Sequence, residues 1–256
     1  MLKRTILSEK EINLLESLIA SYGEIVTTEQ IFSILKGKLT HQSIKNLINK
    51  LSKNGWLVRI KRGVYFVSGL ETRNFISIPV VKIAQIIEKD SYVSFETALQ
   101  YYGMFDQFLN TVISISKKSS LSRIIQNINY KYILVKDKIY FGYEEKRIDG
   151  YIVKIARPEK AILDMLSYQR DLNTIDLILE KIKEYKNDFN FDLLNKFSKQ
   201  HSKTVQRILG FLLDKVNIDT NYLYESIKKS KSCSYMSKNS DKFNSRWRLY
   251  YDGYFE

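Results

Sequence analysis

The chain has 256 residues, 44% of them hydrophobic, with only 2 prolines and 10 glycines, a composition that folds rather than staying disordered. A single cysteine, Cys233, and two histidines, His41 and His201, leave too few ligands for a disulfide or a structural zinc site. The net charge of +13 calls for a polyanionic partner, and it is concentrated: residues 1–70 hold 11 basic and 5 acidic side chains, and residues 228–248 hold 7 and 1. No apolar run approaches the roughly 18 residues of a membrane span. Lys3 and Arg4 are followed by Ser8, Glu9, Lys10 and Glu11 rather than by an apolar stretch, so no signal peptide and a cytoplasmic location are expected.

Leu14, Leu15, Leu18 and Ile19, behind Ser8 as a cap, predict a first helix over residues 8–21 that ends near Gly23. Thr27 and Gln30 have the spacing of a capping box, and Ile31, Ile34 and Leu35 continue it as a short second helix, with Thr28 in its first turn and a stop at Gly37. Thr40 caps a third helix running to Asn54, with Leu39 and Ile44 at the spacing of a hydrophobic staple. At about 100° per residue, Ile44, Leu47, Ile48 and Leu51 fall on one face, and Gln42, Asn46, Asn49 and Lys53 on the other, flanked by Lys45 and Lys50. That polar face suits a major groove, because Asn and Gln bond adenine bidentately while lysines neutralise the neighbouring phosphates.

Trp56–Ile60 and Val64–Val67 predict a hairpin whose tip is Lys61, Arg62 and Gly63. Three short helices followed by such a hairpin form a winged helix-turn-helix, with the third helix as reader. Between Gln30 and Leu70 there are eight basic residues, Arg59 among them, and not one acid. The competing reading is a solvated basic face on a protein-binding module; a polar reading face, a basic wing tip and the missing carboxylates together favour duplex DNA. Thr28, Thr40, Gln42, Ser43, Lys45, Asn46, Asn49, Lys50, Lys53, Arg59, Lys61 and Arg62 make up the candidate DNA-binding set, while His41 has no assigned role.

Beyond the module, residues 71–84 read as a connector in which Pro79 confines the strand-like run Phe75–Val81 to an edge or irregular segment. A boundary at residue 70 then separates domain 1–70 from domain 71–256. Ser94 caps a helix with Phe95, Ala98, Leu99 and Tyr102 that stops at Gly103. Thr111–Ser116, Tyr130–Val135, Ile139–Tyr143 and Tyr151–Ile155 predict strands of a small mixed sheet. Pro158, with Glu159 in the first turn, opens a helix, and the spacing near 173–186, 191–199, 203–216 and 219–229 predicts a closing helical bundle. The basic residues Lys228–Arg248, with Trp247, Tyr250 and Tyr251 close behind, read as a loosely ordered tail, with an auxiliary phosphate contact as the alternative. The fold class expected is α+β: a winged helix-turn-helix followed by a larger mixed α/β domain that ends in helices.

Arg59, Ile60, Lys61, Arg62, Gly63, Val64 and Tyr65, then Tyr92, Val93, Ser94, Ala98, Leu99 and Gly103, then Arg157, Pro158, Glu159, Leu163 and Asp164 resemble, in order and spacing, the AbiEi family of antitoxins. The resemblance implies a type IV toxin-antitoxin system of phage defence, in which the winged helix represses its own promoter at inverted repeats. The C-terminal domain would counter a nucleotidyltransferase-like toxin, without direct contact being assumed. It also implies no cofactor and no catalytic residue, and gives Ser94, Gly103, Pro158, Glu159 and Asp164 structural roles as helix cap, stop and start. The long basic tail departs from the family pattern. Two other functions compete: a stand-alone regulator with no toxin, and a metal-dependent nuclease built on Asp137, Glu144 and Lys146, whose acid-x-lysine spacing also arises by chance in a solvated turn.

Overall fold

The computed structural model describes residues 7–256, so Lys3 and Arg4 lie outside the described residues. By its internal contacts the chain divides into a unit that ends at Lys89 and a second spanning Asp90–Glu256.

In the first unit, α1 (Glu9–Tyr22) starts where the Ser8 hydroxyl and the Glu11 carboxylate cap each other's backbone, and it stops at Gly23, whose φ of 77° suits glycine. β1 (Ile25–Thr27) leads into α2 (Thr28–Leu35), where Thr27 and Gln30 close the expected reciprocal cap. α3 (His41–Lys53) follows, and β2 (Leu57–Lys61) and β3 (Val64–Val67) form the hairpin. The sheet order is β1-β3-β2, all antiparallel. Leu18, Ile31, Leu51 and Leu57 are sealed in a core shared by the helices and the sheet. Leu39 stays 44% exposed and so contributes little as a staple. At Gly55 an added Cβ would sit 2.9 Å from the Asn74 Cβ, which fixes glycine at this turn.

Of the run Phe75–Val81, residues 75–79 are irregular rather than an edge strand, and α4 (Val80–Ile87) takes over the rest, with Pro79 just before its first turn. A proline there costs nothing, since the first helical N–H groups have no partner within the helix, and its carbonyl accepts from Lys82 and Ile83. Val81, Ala84 and Ile87 recur at helical spacing and are buried, and α4 packs on β2. The boundary therefore falls at Lys89 rather than at residue 70, because α4 buries its apolar face in the N-terminal unit.

The second unit carries β4 (Ser91–Val93), α5 (Phe95–Tyr101), β5 (Thr111–Ser116), β6 (Leu121–Ile125), β7 (Ile128–Leu134), β8 (Tyr143–Ile148) and β9 (Tyr151–Ala156). They form a mixed sheet of order β6-β7-β5-β4-β9-β8, with β4–β9 and β5–β7 parallel. Ile139–Tyr143 is not the expected strand; a single 3-10 turn, Asp137–Ile139, and Gly142 at φ 75° precede β8, which begins at Tyr143. α6 (Pro158–Tyr168) is buried along most of its length, and α7 (Leu172–Glu184), α8 (Phe191–Ser198), α9 (Lys203–Lys215) and α10 (Asn221–Ile227) pack around it and each other.

A buried polar group joins sheet to helix: the Tyr92 and Ser94 hydroxyls donate to Asp164, which is also paired with Lys160, and all four side chains are sealed from solvent. Ser94 thus occupies the cap position of α5, but its hydroxyl serves Asp164 instead of the helix. Nor is the basic end of the chain loose. β10 (Ser234–Tyr235), β11 (Lys242–Asn244) and β12 (Leu249–Tyr251) make a sheet of order β10-β12-β11 on α9. Trp247 locks it there, fully buried against Gly210, with its Nε1 donating to Asp214 at 2.6 Å.

Candidate nucleic-acid interface

Helical periodicity divides α3 as its sequence requires. Ile44, Ile48 and Leu51 go into the core, and Gln42, Ser43, Lys45, Asn46, Asn49 and Lys53 stand exposed. Lys45, Asn49 and Lys53 make no side-chain hydrogen bond or ion pair among the described residues. Gln42 Nε2 donates to Asn46 Oδ1 at 3.0 Å, which holds the two amides side by side on the surface. Thr40 and Ser43 serve the helix itself: the Thr40 hydroxyl accepts from the Ser43 N–H, and the two hydroxyls bond at 2.8 Å.

Lys50 is engaged elsewhere. Its ammonium lies 2.8 Å from Glu11, a carboxylate brought in by α1. Burial alone would raise the Glu11 pKa, but Lys50 and the Ser8 hydrogen bonds outweigh it and hold the group below its ordinary value. The acid-free stretch therefore borrows one carboxylate from outside itself, on the flank of α3 turned to α1.

The wing is short. Val64 and Lys61 pair across a turn made by Arg62 and Gly63, the latter at φ 75°. The turn leans on the start of α2, where the Thr28 N–H donates to the Gly63 carbonyl at 2.9 Å, so Thr28 braces the wing with a group that could otherwise face a phosphate. Lys61 is half-buried and donates to the Ile87 carbonyl at the end of α4, 3.3 Å away. Arg62 is exposed and unpaired among the described residues, and Arg59 is exposed with its Nε 3.4 Å from the Lys61 carbonyl. Helix α3 and two wing arginines therefore present donors to solvent, while Thr28, Thr40, Ser43, Lys50 and Lys61 are partly committed to the fold.

Sequence reasoning missed Arg73, whose Nε donates to the Asn54 carbonyl at 3.0 Å and whose guanidinium lies 5.1 Å from the Trp56 ring centre, fastening the end of α3. Only the pairing of a distant side chain reveals that role. His41 sits with its ring 4.7 Å from Phe32.

The alternative metal centre does not assemble. Glu144 is ion-paired to Arg157 and, at 2.6 Å, to Lys146, while Asp137 pairs with Lys117 at 3.1 Å. Among the described residues no three His, Cys, Asp or Glu side chains are placed to hold a metal ion. No helix among them is long and apolar enough to cross a membrane.

Three helices, a β1-β3-β2 sheet and a two-residue wing turn define the first unit as a winged helix-turn-helix. Residues 13–67, from α1 to the end of the wing, match the family model described as transcriptional regulator, AbiEi antitoxin. The module is thus similar to that family over the winged helix, which holds the block Arg59–Tyr65; the blocks around Tyr92–Gly103 and Arg157–Asp164 lie beyond the matched residues. Over its whole length the chain is similar in fold to the crystal structure of RV2827C protein from Mycobacterium tuberculosis, with a TM-score of 0.68 at 12% identity, covering 95% of this chain and 92% of that one. No curated protein matches the sequence.

Proposed function

We propose that this protein is a sequence-specific DNA-binding transcriptional regulator, the antitoxin of a type IV toxin-antitoxin system, and not an enzyme. The carrying observation is the outward face of α3, on which Gln42, Asn46 and Asn49 offer amides and Lys45 and Lys53 offer charge with no carboxylate among them. The amides would read base edges in the major groove; the lysines, with Arg59 and Arg62 of the wing, would contact phosphates on either side. The family match supports a regulator, and the resemblance adds inverted repeats in the protein's own promoter as the operator and a nucleotidyltransferase-like toxin as the counterpart. The cytoplasm is the place for both roles.

Footprinting of the purified protein on the DNA directly upstream of its gene tests the reading, with protection of paired repeats expected. Absence of affinity for any duplex at low ionic strength overturns it. A nucleotidyltransferase reading frame adjoining the gene is expected, and the toxicity of its product should be relieved by the full chain.

A further inference from the structure

The most basic stretch of the chain builds a second surface, far in sequence from α3. Strand alternation turns Ser234 and Leu249 of the small C-terminal sheet inward. Tyr235, Tyr250 and Phe243, one from each strand and in register, share the opposite face. The Tyr235 and Tyr250 rings stack 4.6 Å apart at 10°, and Phe243 continues the row 4.9 Å from Tyr250. Cross-strand aromatic pairs do stabilise small sheets. Packing alone does not account for a row that leaves Tyr235 58% and Phe243 48% exposed while Trp247 and Leu249 already anchor the sheet.

Tyr235 also lines an open groove of about 810 Å³, walled by Arg170, Lys238, Thr204 and Ser237, with no carboxylate in its lining. Arg170 and Lys238 make no ion pair among the described residues. We infer that this face binds single-stranded nucleic acid, with a base stacked on Tyr235 to extend the aromatic row and the adjoining phosphates held by Arg170 and Lys238. Within a duplex, bases show only their edges in the grooves; ring faces become available where a strand is unpaired. An acidic peptide would match the charge of segment 228–248, seven basic residues against one acid, but would leave the row of rings unused.

Fluorescence anisotropy of the full chain with labelled oligouridylate, oligodeoxythymidylate and a random-sequence duplex tests the inference, and the two single strands show whether ribose matters. Tyr235→Leu is expected to weaken single-strand binding about tenfold while Tyr235→Phe preserves it. Arg170→Ala with Lys238→Ala should flatten the single-strand salt dependence by roughly 1.4 units, about 0.7 per phosphate contact. Duplex affinity should not change in any of these variants; its loss in them would make this face part of a duplex interface and overturn the assignment to unpaired strands, whereas absence of duplex binding by the unaltered chain would count against the N-terminal reading alone. No single-strand binding, equal binding by Tyr235→Leu and Tyr235→Phe, or an unchanged salt slope in the double variant would overturn the platform.

Discussion

Asn49 and Lys50 are neighbours in sequence with opposite duties. Asn49 faces solvent with a free amide, whereas Lys50 neutralises Glu11, a carboxylate that is only 5% exposed. Asn49→Ala is expected to relax base preference by about 1–3 kcal/mol without changing stability, measured as the ratio of affinities for protected and random duplex. Equal losses on both would remove Asn49 from base reading. Lys50→Ala should instead lower the melting temperature, at about 1 kcal/mol, by stranding the Glu11 charge, and Lys53→Ala should not. His201 carries a pH dependence. Ser167 gives its proton to the Leu163 carbonyl at 2.6 Å, so Nδ1 of His201 donates to the Ser167 oxygen at 2.8 Å and Nε2 is the unprotonated nitrogen, buried without a partner. Burial, with the Lys160 charge nearby, lowers the His201 pKa to about 3. A depressed folded pKa gives stability that is intact above the unfolded value of about 6.5 and lost as pH falls towards 3, by about 1.4 kcal/mol per unit. In acid melts His201→Asn should remove that slope; an unchanged slope would place its origin elsewhere.

At the scale of elements, the wing and the C-terminal sheet each depend on one close approach. Because Lys61 is drawn back to α4, Arg59→Ala with Arg62→Ala is expected to flatten the salt dependence of duplex binding by about two units, one per phosphate contact. Lys61→Ala alone should do less, and a double variant with an unaltered slope would take the wing out of the interface. Gly210 lies inside α9, where alanine would gain about 1 kcal/mol in helix propensity. Yet its Cβ would stand 2.2 Å from the Trp247 ring, and overpacking of that kind costs about 1–3 kcal/mol. Gly210→Ala should therefore destabilise the protein on thermal denaturation.

For the whole molecule, the division at Lys89 predicts that residues 1–89 fold alone and keep duplex binding, because α1 to α3 and their sheet enclose their own core and α4 packs on β2 within the same unit. A fragment ending at residue 70 would lack α4 and expose the β2 surface that it covers; circular dichroism melts of the two fragments compare them.

Caps, glycine stops and the 3.6-residue apolar period are local, so α1, α2 and α3 could be read to within a residue or two, as could the start of α6, and with them the polar face of α3. β1, β4 and β6 are short, and only their pairing partners make them strands. The apolar run around Pro79 satisfied a strand and a helix alike, and burial against β2 chose the helix. The basic tail gave no periodic signal, yet Trp247 found its seat on α9. Which candidate side chains remain free for DNA also escaped local reading, since Glu11, Gly63 and Ile87 come to Lys50, Thr28 and Lys61 from other elements. The order of residues by itself determined where α1, α2 and α3 begin and end and which face of α3 is polar, because those depend on neighbours three or four positions away. Tertiary structure alone decided the domain edge, the fate of the tail and the free subset of the basic residues, because each turns on partners that chain folding brings from a distance.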